Sequence, residues 1–319
     1  MNKLLAFYFS LPHDRTLGIV TKAFNRVVAR ILKRVLDRTV PAYFFRTQDL
    51  YQNGLNTTPR DKKVIVSLTS FPARIEDVWI VIECLFRQSF KADKIILWLS
   101  KPQFEGVELP EKLLAQQERG LEIIFVDDDL RSHKKYLYAF EQFPNDYIIT
   151  VDDDLYYDEN LLSNLVNLKR RYPESVVTNR AHELSFDKNG KILPYHNWSH
   201  NSISSKPSFT IVQTGGFGTL YTKQDVDESY NDLDTIKEHI PFADDLWLKV
   251  QTLLASKKVV TNKKYNKDPL SIKKSQLEKL VNRNVHDGGN NQQLRAVLDH
   301  FKLGNLEQFR PQNSDLEYS

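Results

Sequence analysis

Cysteine is almost absent. The 319 residues contain one, Cys84, which excludes an internal disulfide and fits a reducing compartment. Cys84 falls in an apolar helical stretch, where a core thiol is expected rather than a nucleophile. No apolar run approaches the roughly 20 residues that a membrane-spanning helix needs. Leu4 to Leu11 is a short apolar stretch after Lys3, but no small-residue cleavage site follows and Pro12, His13 and Asp14 interrupt it, so a signal peptide is not expected. There is no internal repeat and no recognisable nucleic-acid-binding module, so nucleic acid is not an expected partner. What remains is a chain with 41% hydrophobic residues and charges of mixed sign. That is enough to bury the core of one large α/β domain with appendages.

Charge is unevenly placed. Residues 1–38 carry eight basic side chains against Asp14 and Asp37, or +6, while the whole chain is +3. Between Thr16 and Arg38 the apolar residues Val20, Phe24, Val27, Ile31 and Val35 recur at helical spacing, with basic residues mostly on the other faces. Such a basic amphipathic helix either lies on an anionic membrane surface or packs against the main domain with its cations solvated. Residues 39–61, with Pro41, Gly54 and Pro59, read as a linker, so residues 1–61 form an N-terminal extension.

Regular alternation then begins. Strands are expected at Lys63 to Thr69, Lys94 to Leu99, Glu122 to Val126 and Tyr147 to Val151, and helices at Ile75 to Gln88, Pro110 to Arg119 and Lys134 to Phe143. Apolar strands separated by helical crossovers indicate a parallel sheet covered on both faces, with ligands at the carboxyl ends of the strands. The second half is less regular: a hairpin at Asn189-Gly190, helices near Asp244 to Leu254 and Asn291 to Phe301, and a polar tail over 303–319.

Three polar clusters fall at those strand ends: Ser67 to Ser70, Asp127 to Asp129, and Asp152 to Asp154. Three adjacent carboxylates repel one another, so a cation is expected among the last group, and a hard divalent ion such as Mg²⁺ or Mn²⁺ suits oxygen ligands. A solvated acidic turn is the plainer alternative. Asp244 and Asp245 open a helix, either as caps or as a general base whose pKa is raised in a desolvated cleft. His286 precedes Gly288 and Gly289, then Asn290 and Asn291, a turn that would let backbone approach a phosphate. Arg74, Arg131, Lys134 and Lys135 either neutralise a diphosphate or decorate the surface. Gly215 and Gly216 either admit a sugar ring or form a turn.

Taken in order, Val66 to Ile75, Lys94 to Leu99, Thr150 to Asp154, Ala243 to Trp247 and His286 to Asn291 resemble a bacterial glycosyltransferase of the GT-A fold, similar to family 2 enzymes that build capsular and other surface polysaccharides. The resemblance covers roughly 62–300. It implies a Rossmann-like, mostly parallel α/β sheet flanked by helices, with a nucleotide-sugar half over 62–155 and an acceptor half over 156–302. It also implies a metal, Mn²⁺ or Mg²⁺, on Asp154, Asp152 and His286, and a catalytic base at Asp245 with Asp244 as the alternative. The nucleotide sugar, a UDP-sugar by expectation, would meet Ser67, Thr69, Arg74, Asp127, Asp129, Lys134, Asp152, Asp153, Gly215 and Gly216. The acceptor would be a saccharide or a lipid-linked sugar, and the protein cytoplasmic or peripheral on the inner face of the bacterial membrane. A nucleotidyltransferase or sugar-phosphate transferase also uses carboxylates and metal beside an α/β sheet, although the glycine-rich loop of many nucleotidyltransferases is missing from the first strand turn. A nucleotide-sugar-binding protein without turnover is the third reading.

Overall fold

The computed structural model describes residues 3–11, 19–52, 54–202, 204–262, 270–272 and 289–303, with the side chains of the second helix described from Val27 onward. Two helices come first, α1 (Lys3–Ser10) and α2 (Ile19–Thr47). The sheet and its crossovers follow as β1 (Val64–Thr69), α3 (Val78–Phe86), β2 (Lys94–Ser100), α4 (Glu111–Leu114), β3 (Leu121–Val126), α5 (Lys134–Gln142) and β4 (Tyr147–Thr150). The second half holds α6 (Leu161–Arg171), β5 (Val176–Thr178), β6 (Ala181–Glu183), β7 (Ile211–Gln213), β8 (Thr219–Tyr221), α7 (Leu233–His239), α8 (Asp244–Leu254), β9 (Val259–Thr261) and α9 (Gly289–His300).

Seven strands form one sheet in the order β3-β2-β1-β4-β8-β5-β9, parallel except for β8, which runs antiparallel to both neighbours. A short β6-β7 ribbon stands apart. This is the mostly parallel α/β sheet that the alternation of apolar runs predicts. Residues of β1 alternate between two cores: Val64, Val66 and Leu68 join α3 and α6 on one face, while Ile65 joins Trp98, Phe140 and Trp247 on the other. Both faces are therefore covered, which is why Val64 to Leu68 of β1 are all buried and, Ser67 apart, apolar. All nine residues of α3 are buried, Cys84 among them, and burial pushes that thiol up to about 12. That suits a core residue and not a nucleophile.

The linker expected over 39–61 begins later than its proline suggested. α2 continues through Pro41 to Thr47, and its residues Leu36, Val40 and Phe44 enter the core formed with β1 and α3. Its end is fixed by charge. Arg87 donates to Phe44 O at 3.1 Å and to Thr47 Oγ1 at 3.0 Å, while Glu83, fully buried, neutralises both Arg87 and Arg119. Arg119 in turn holds Tyr51 O at 3.0 Å. Tertiary contacts thus override the local breaker signal.

Candidate active site

β1 and β4 are adjacent and parallel, with Ser67 opposite Thr150, yet the strands that follow them lie on opposite sides: β2 and β3 beyond β1, β8 and β5 beyond β4. A crevice opens beyond the carboxyl ends of strands where the order reverses, and ligands of open α/β sheets bind there. Thr69 to Arg74 after β1 and Asp152 to Asp154 after β4 both contribute to a cavity of about 820 Å³ at this point.

The acidic triplet is compensated from within the chain. Asp153 is buried and accepts from Ser70 Oγ at 2.5 Å and from an Arg74 terminal nitrogen at 2.9 Å. The same nitrogen stands 3.2 Å from Asp154 Oδ2. Burial opposes the charge on Arg74, but Asp153 and Asp154 outweigh it and raise its pKa. Asp152 is tied differently: its Oδ1 accepts from Lys135 Nζ at 2.9 Å, and its backbone N–H donates to Tyr157 OH at 2.8 Å.

Lys135 joins the two halves of the domain. Its buried Nζ lies 2.9 Å from Asp152 Oδ1 and 2.9 Å from Asp244 Oδ2, the first residue of α8. Burial disfavours the ammonium, yet Asp152, Asp244 and Asp245 hold its pKa well above the usual lysine value. The neighbouring acids then diverge. Burial pushes Asp244 up, but Lys135 and His133 more than reverse this and keep it below the ordinary carboxylate range. Asp245 is raised to about 7 by burial and by the charge of Asp244, against the opposing pull of Lys135. Both of its oxygens accept the Gly215 N–H at 3.0 Å. A Cβ at Gly215 would sit 3.0 Å from Lys135 Nζ, 3.2 Å from Asp245 Oδ1 and 3.3 Å from Asp152 Oδ1, so this position has little space for a side chain.

Further cations face the cavity. Lys134 is buried with Nζ 3.4 Å from Asp129 Oδ1 and from Gln103 Oε1, and burial lowers its pKa. Arg131 adopts a left-handed backbone (φ 50°) and stacks its guanidinium 4.1 Å from the Phe242 ring centroid. Among the described lining residues, five carboxylates (Asp152, Asp153, Asp154, Asp244 and Asp245) face five cationic side chains (Arg74, Arg131, Lys134, Lys135 and Arg180). The cation expected among the carboxylates is therefore supplied in part by the protein.

The opposite wall was not legible as a motif. Arg180 donates to Asn201 Oδ1 at 2.8 Å and to Thr214 Oγ1 at 3.3 Å. His182 meets Tyr195 edge-on at 5.8 Å, and the Tyr195 N–H donates to Asn291 Oδ1 at 2.7 Å. Arginine, imidazole and phenol together suit a ligand with both polar and apolar faces. The one sequence signal for this wall is Asn290-Asn291, since Asn290 also lines the cavity.

Of the candidates read from sequence, Thr69, Arg74, Lys134, Asp152, Asp153, Asp154, Gly216, Asp244 and Asp245 line this one cavity. Gly215 adjoins it through the contacts just given. Ser67 is fully buried; its hydroxyl donates to Lys135 O and accepts the Trp98 indole N–H at 2.8 Å, so it supports α5 and stays outside the cavity lining. Asp127 is exposed and paired with Lys101 at 2.6 Å, and Asp129 is exposed and bonded to Gln103 at 3.1 Å; neither lines the cavity. His286 lies outside the described residues. No group of three or more His, Cys, Asp or Glu suited to a metal occurs among the described residues. Asp152 and Asp154 nonetheless present carboxylate oxygens at the cavity, the donor chemistry of Mg²⁺ or Mn²⁺.

No protein-family model matches the chain, and no curated protein does. Among solved structures it is similar to a mannosyltransferase from Pyrobaculum calidifontis in complex with GDP-Man and Mn²⁺, at 10% identity and a TM-score of 0.40, over 73% of this chain. The chain spans 65% of that mannosyltransferase. It is similar also to a CMP:2-keto-3-deoxy-manno-octonic acid synthetase complexed with CTP, at 11% identity and a TM-score of 0.38, over 64% of this chain and 89% of that one. A third similarity is to HddC from Yersinia pseudotuberculosis, at 12% identity and a TM-score of 0.32, over 50% of this chain and 76% of that one.

Proposed function

We propose that this protein is a glycosyltransferase that moves a sugar from a nucleotide sugar to a saccharide or lipid-linked acceptor in surface polysaccharide synthesis, with inversion at the anomeric carbon. A UDP-sugar is the first donor to test. The observation that carries this reading is the bridge from Asp152 through Lys135 to Asp244, which supports donor and acceptor chemistry in one cavity.

Asp245 removes the proton of the acceptor hydroxyl, whose oxygen attacks the anomeric carbon. The bond from that carbon to the diphosphate oxygen breaks on the opposite face, and its electron pair leaves with the nucleoside diphosphate. Lys134 and Arg131, both on the cavity wall, offset the negative charge that develops there. Asp244, held ionised by Lys135, fixes the lysine between the two halves and keeps Asp245 the more basic of the pair. A divalent cation, when bound by Asp152 and Asp154 with His286, would add neutralisation of the leaving diphosphate.

The test is incubation of the purified protein with a panel of nucleotide sugars and Mn²⁺, scoring nucleoside diphosphate release with and without acceptors. Release that depends on metal and is abolished by chelator and by Asp154→Asn is the expected result. Release unchanged by both would remove the assigned metal ligands. Pyrophosphate formation from a nucleoside triphosphate and a sugar phosphate would instead make the protein a nucleotidyltransferase.

A further inference from the structure

Among the described residues the fold packs one side of α2, apart from Lys112 Nζ, which stands 5.5 Å from the Phe45 ring centroid on the other. Leu36, Val40 and Phe44, spaced four residues apart, are buried against the domain, and Lys33 on that side donates to Ser271 O and lies 3.4 Å from its hydroxyl. The apolar stripe read from the sequence is a different one. Val27, Ile31 and Val35 are 51%, 55% and 38% exposed, and Phe45 is 54% exposed. Arg30, Arg34, Arg38 and Arg46 are exposed as well. With about 3.6 residues per turn, these eight positions fall within roughly half of the helix circumference. The basic residues therefore do not occupy a separate face, as the sequence implied, but flank the apolar ones.

No acidic residue shares this arc among the described residues of α2. Asp37 stands on the packed side, 3.9 Å from Lys33 Nζ. Leu4 and Phe7 of the neighbouring α1 are exposed too. An apolar stripe this exposed is disfavoured in water, and four arginines with no acidic partner among the described residues repel a second copy of the same face. A surface that combines apolar depth with negative charge satisfies both sets of side chains.

We propose that the outward face of α2 docks the protein on an anionic phospholipid bilayer, with the helix lying in the plane of the headgroups. No described helix is long and apolar enough to cross a membrane. Ser271 lines the cavity and the adjacent Ile272 N–H donates to Asp154 O at 2.8 Å, so the packed side of α2, which Lys33 ties to Ser271, adjoins the cavity while the opposite face meets the bilayer. The inference is independent of the reaction performed in that cavity.

Co-sedimentation of the full chain with phosphatidylcholine vesicles, with and without phosphatidylglycerol, tests it. Binding is expected to be at least about tenfold stronger with phosphatidylglycerol and to weaken as salt rises. The triple variant Arg30→Gln, Arg34→Gln, Arg38→Gln should lose about tenfold or more, and so should Val27→Ser with Ile31→Ser, both at unchanged melting temperature because the altered side chains are exposed. Absence of vesicle binding by the unaltered chain, or equal binding by both variants, overturns the proposal. Binding to duplex DNA or RNA in place of vesicles also overturns it, as does a dimer by light scattering that the apolar variant dissolves.

Discussion

Lys135 Nζ and Asp244 Oδ2 lie 2.9 Å apart in the interior, and the same ammonium is shared with Asp152 Oδ1. Asp152 follows β4, and Asp244 opens α8 nearly a hundred residues later in the chain. One cation thus ties the segment after β4 to the start of α8 over the cavity. A partnered charge of this kind contributes most visibly when it is removed, since its partners are then left uncompensated.

Lys135→Met should lower stability by about 3 kcal/mol, the order found when a buried ion pair loses one member. Urea unfolding measures this directly. Transfer should be lost as well, and an unchanged unfolding midpoint would show that the bridge does not hold the two halves.

Asp245→Asn should abolish transfer while leaving donor binding within about twofold, because removing a general base touches the reacting proton and not the nucleotide. Isothermal titration with the nucleoside diphosphate separates the two effects. Equal loss of both would make Asp245 a structural cap of α8.

The base must be ionised to act, and the carboxyl of Asp245 is raised to about 7. The rate should therefore fall as pH drops below about 7 and level off above it. Asp244→Asn removes a neighbouring negative charge that raises this value, so in that variant the acid limb should move to lower pH. A limb that moves up, or stays in place, contradicts the assignment.

Gly215→Ala should reduce turnover by about tenfold or more, because a Cβ 3.0 Å from Lys135 Nζ and 3.2 Å from Asp245 Oδ1 displaces the two groups it touches. Thermal unfolding and initial rates together check this. A fall in melting temperature with full activity would reverse the reading of the close approach.

Lys249, one turn beyond Asp245 in α8, is buried with no hydrogen-bond partner for its Nζ among the described residues, and burial lowers its pKa to about 7. Between pH 7 and the ordinary lysine range the unfolded chain then binds more protons than the folded one, so this residue makes stability rise with pH across that window. Lys249→Met should raise stability at pH 7 by about 1–3 kcal/mol and flatten the rise. Unfolding at pH 7 and at pH 9 would show both effects, and a destabilised Met variant would mean that the ammonium has a partner.

The strands β1 to β4 and the helix α8 follow from sequence alone, because apolar periodicity and the helix-opening pair Asp244-Asp245 act over a few residues. The placement of the acidic triplet at a strand end follows equally from local pattern. Three things were decided only in three dimensions. Arg74 and Lys135 became the counter-ions of carboxylates 79 and 17 residues away, a choice no local spacing encodes. The polar and aromatic wall of Arg180, His182, Tyr195 and Phe242 was assembled from separate segments of the second half. The side of α2 that packs was set by the surface it met: Leu36, Val40 and Phe44 found the core beside α3, which left the more regular stripe of Val27, Ile31 and Val35 facing outward. Periodicity states that a helix has an apolar side; which apolar side is buried depends on the shape and charge of what lies against it.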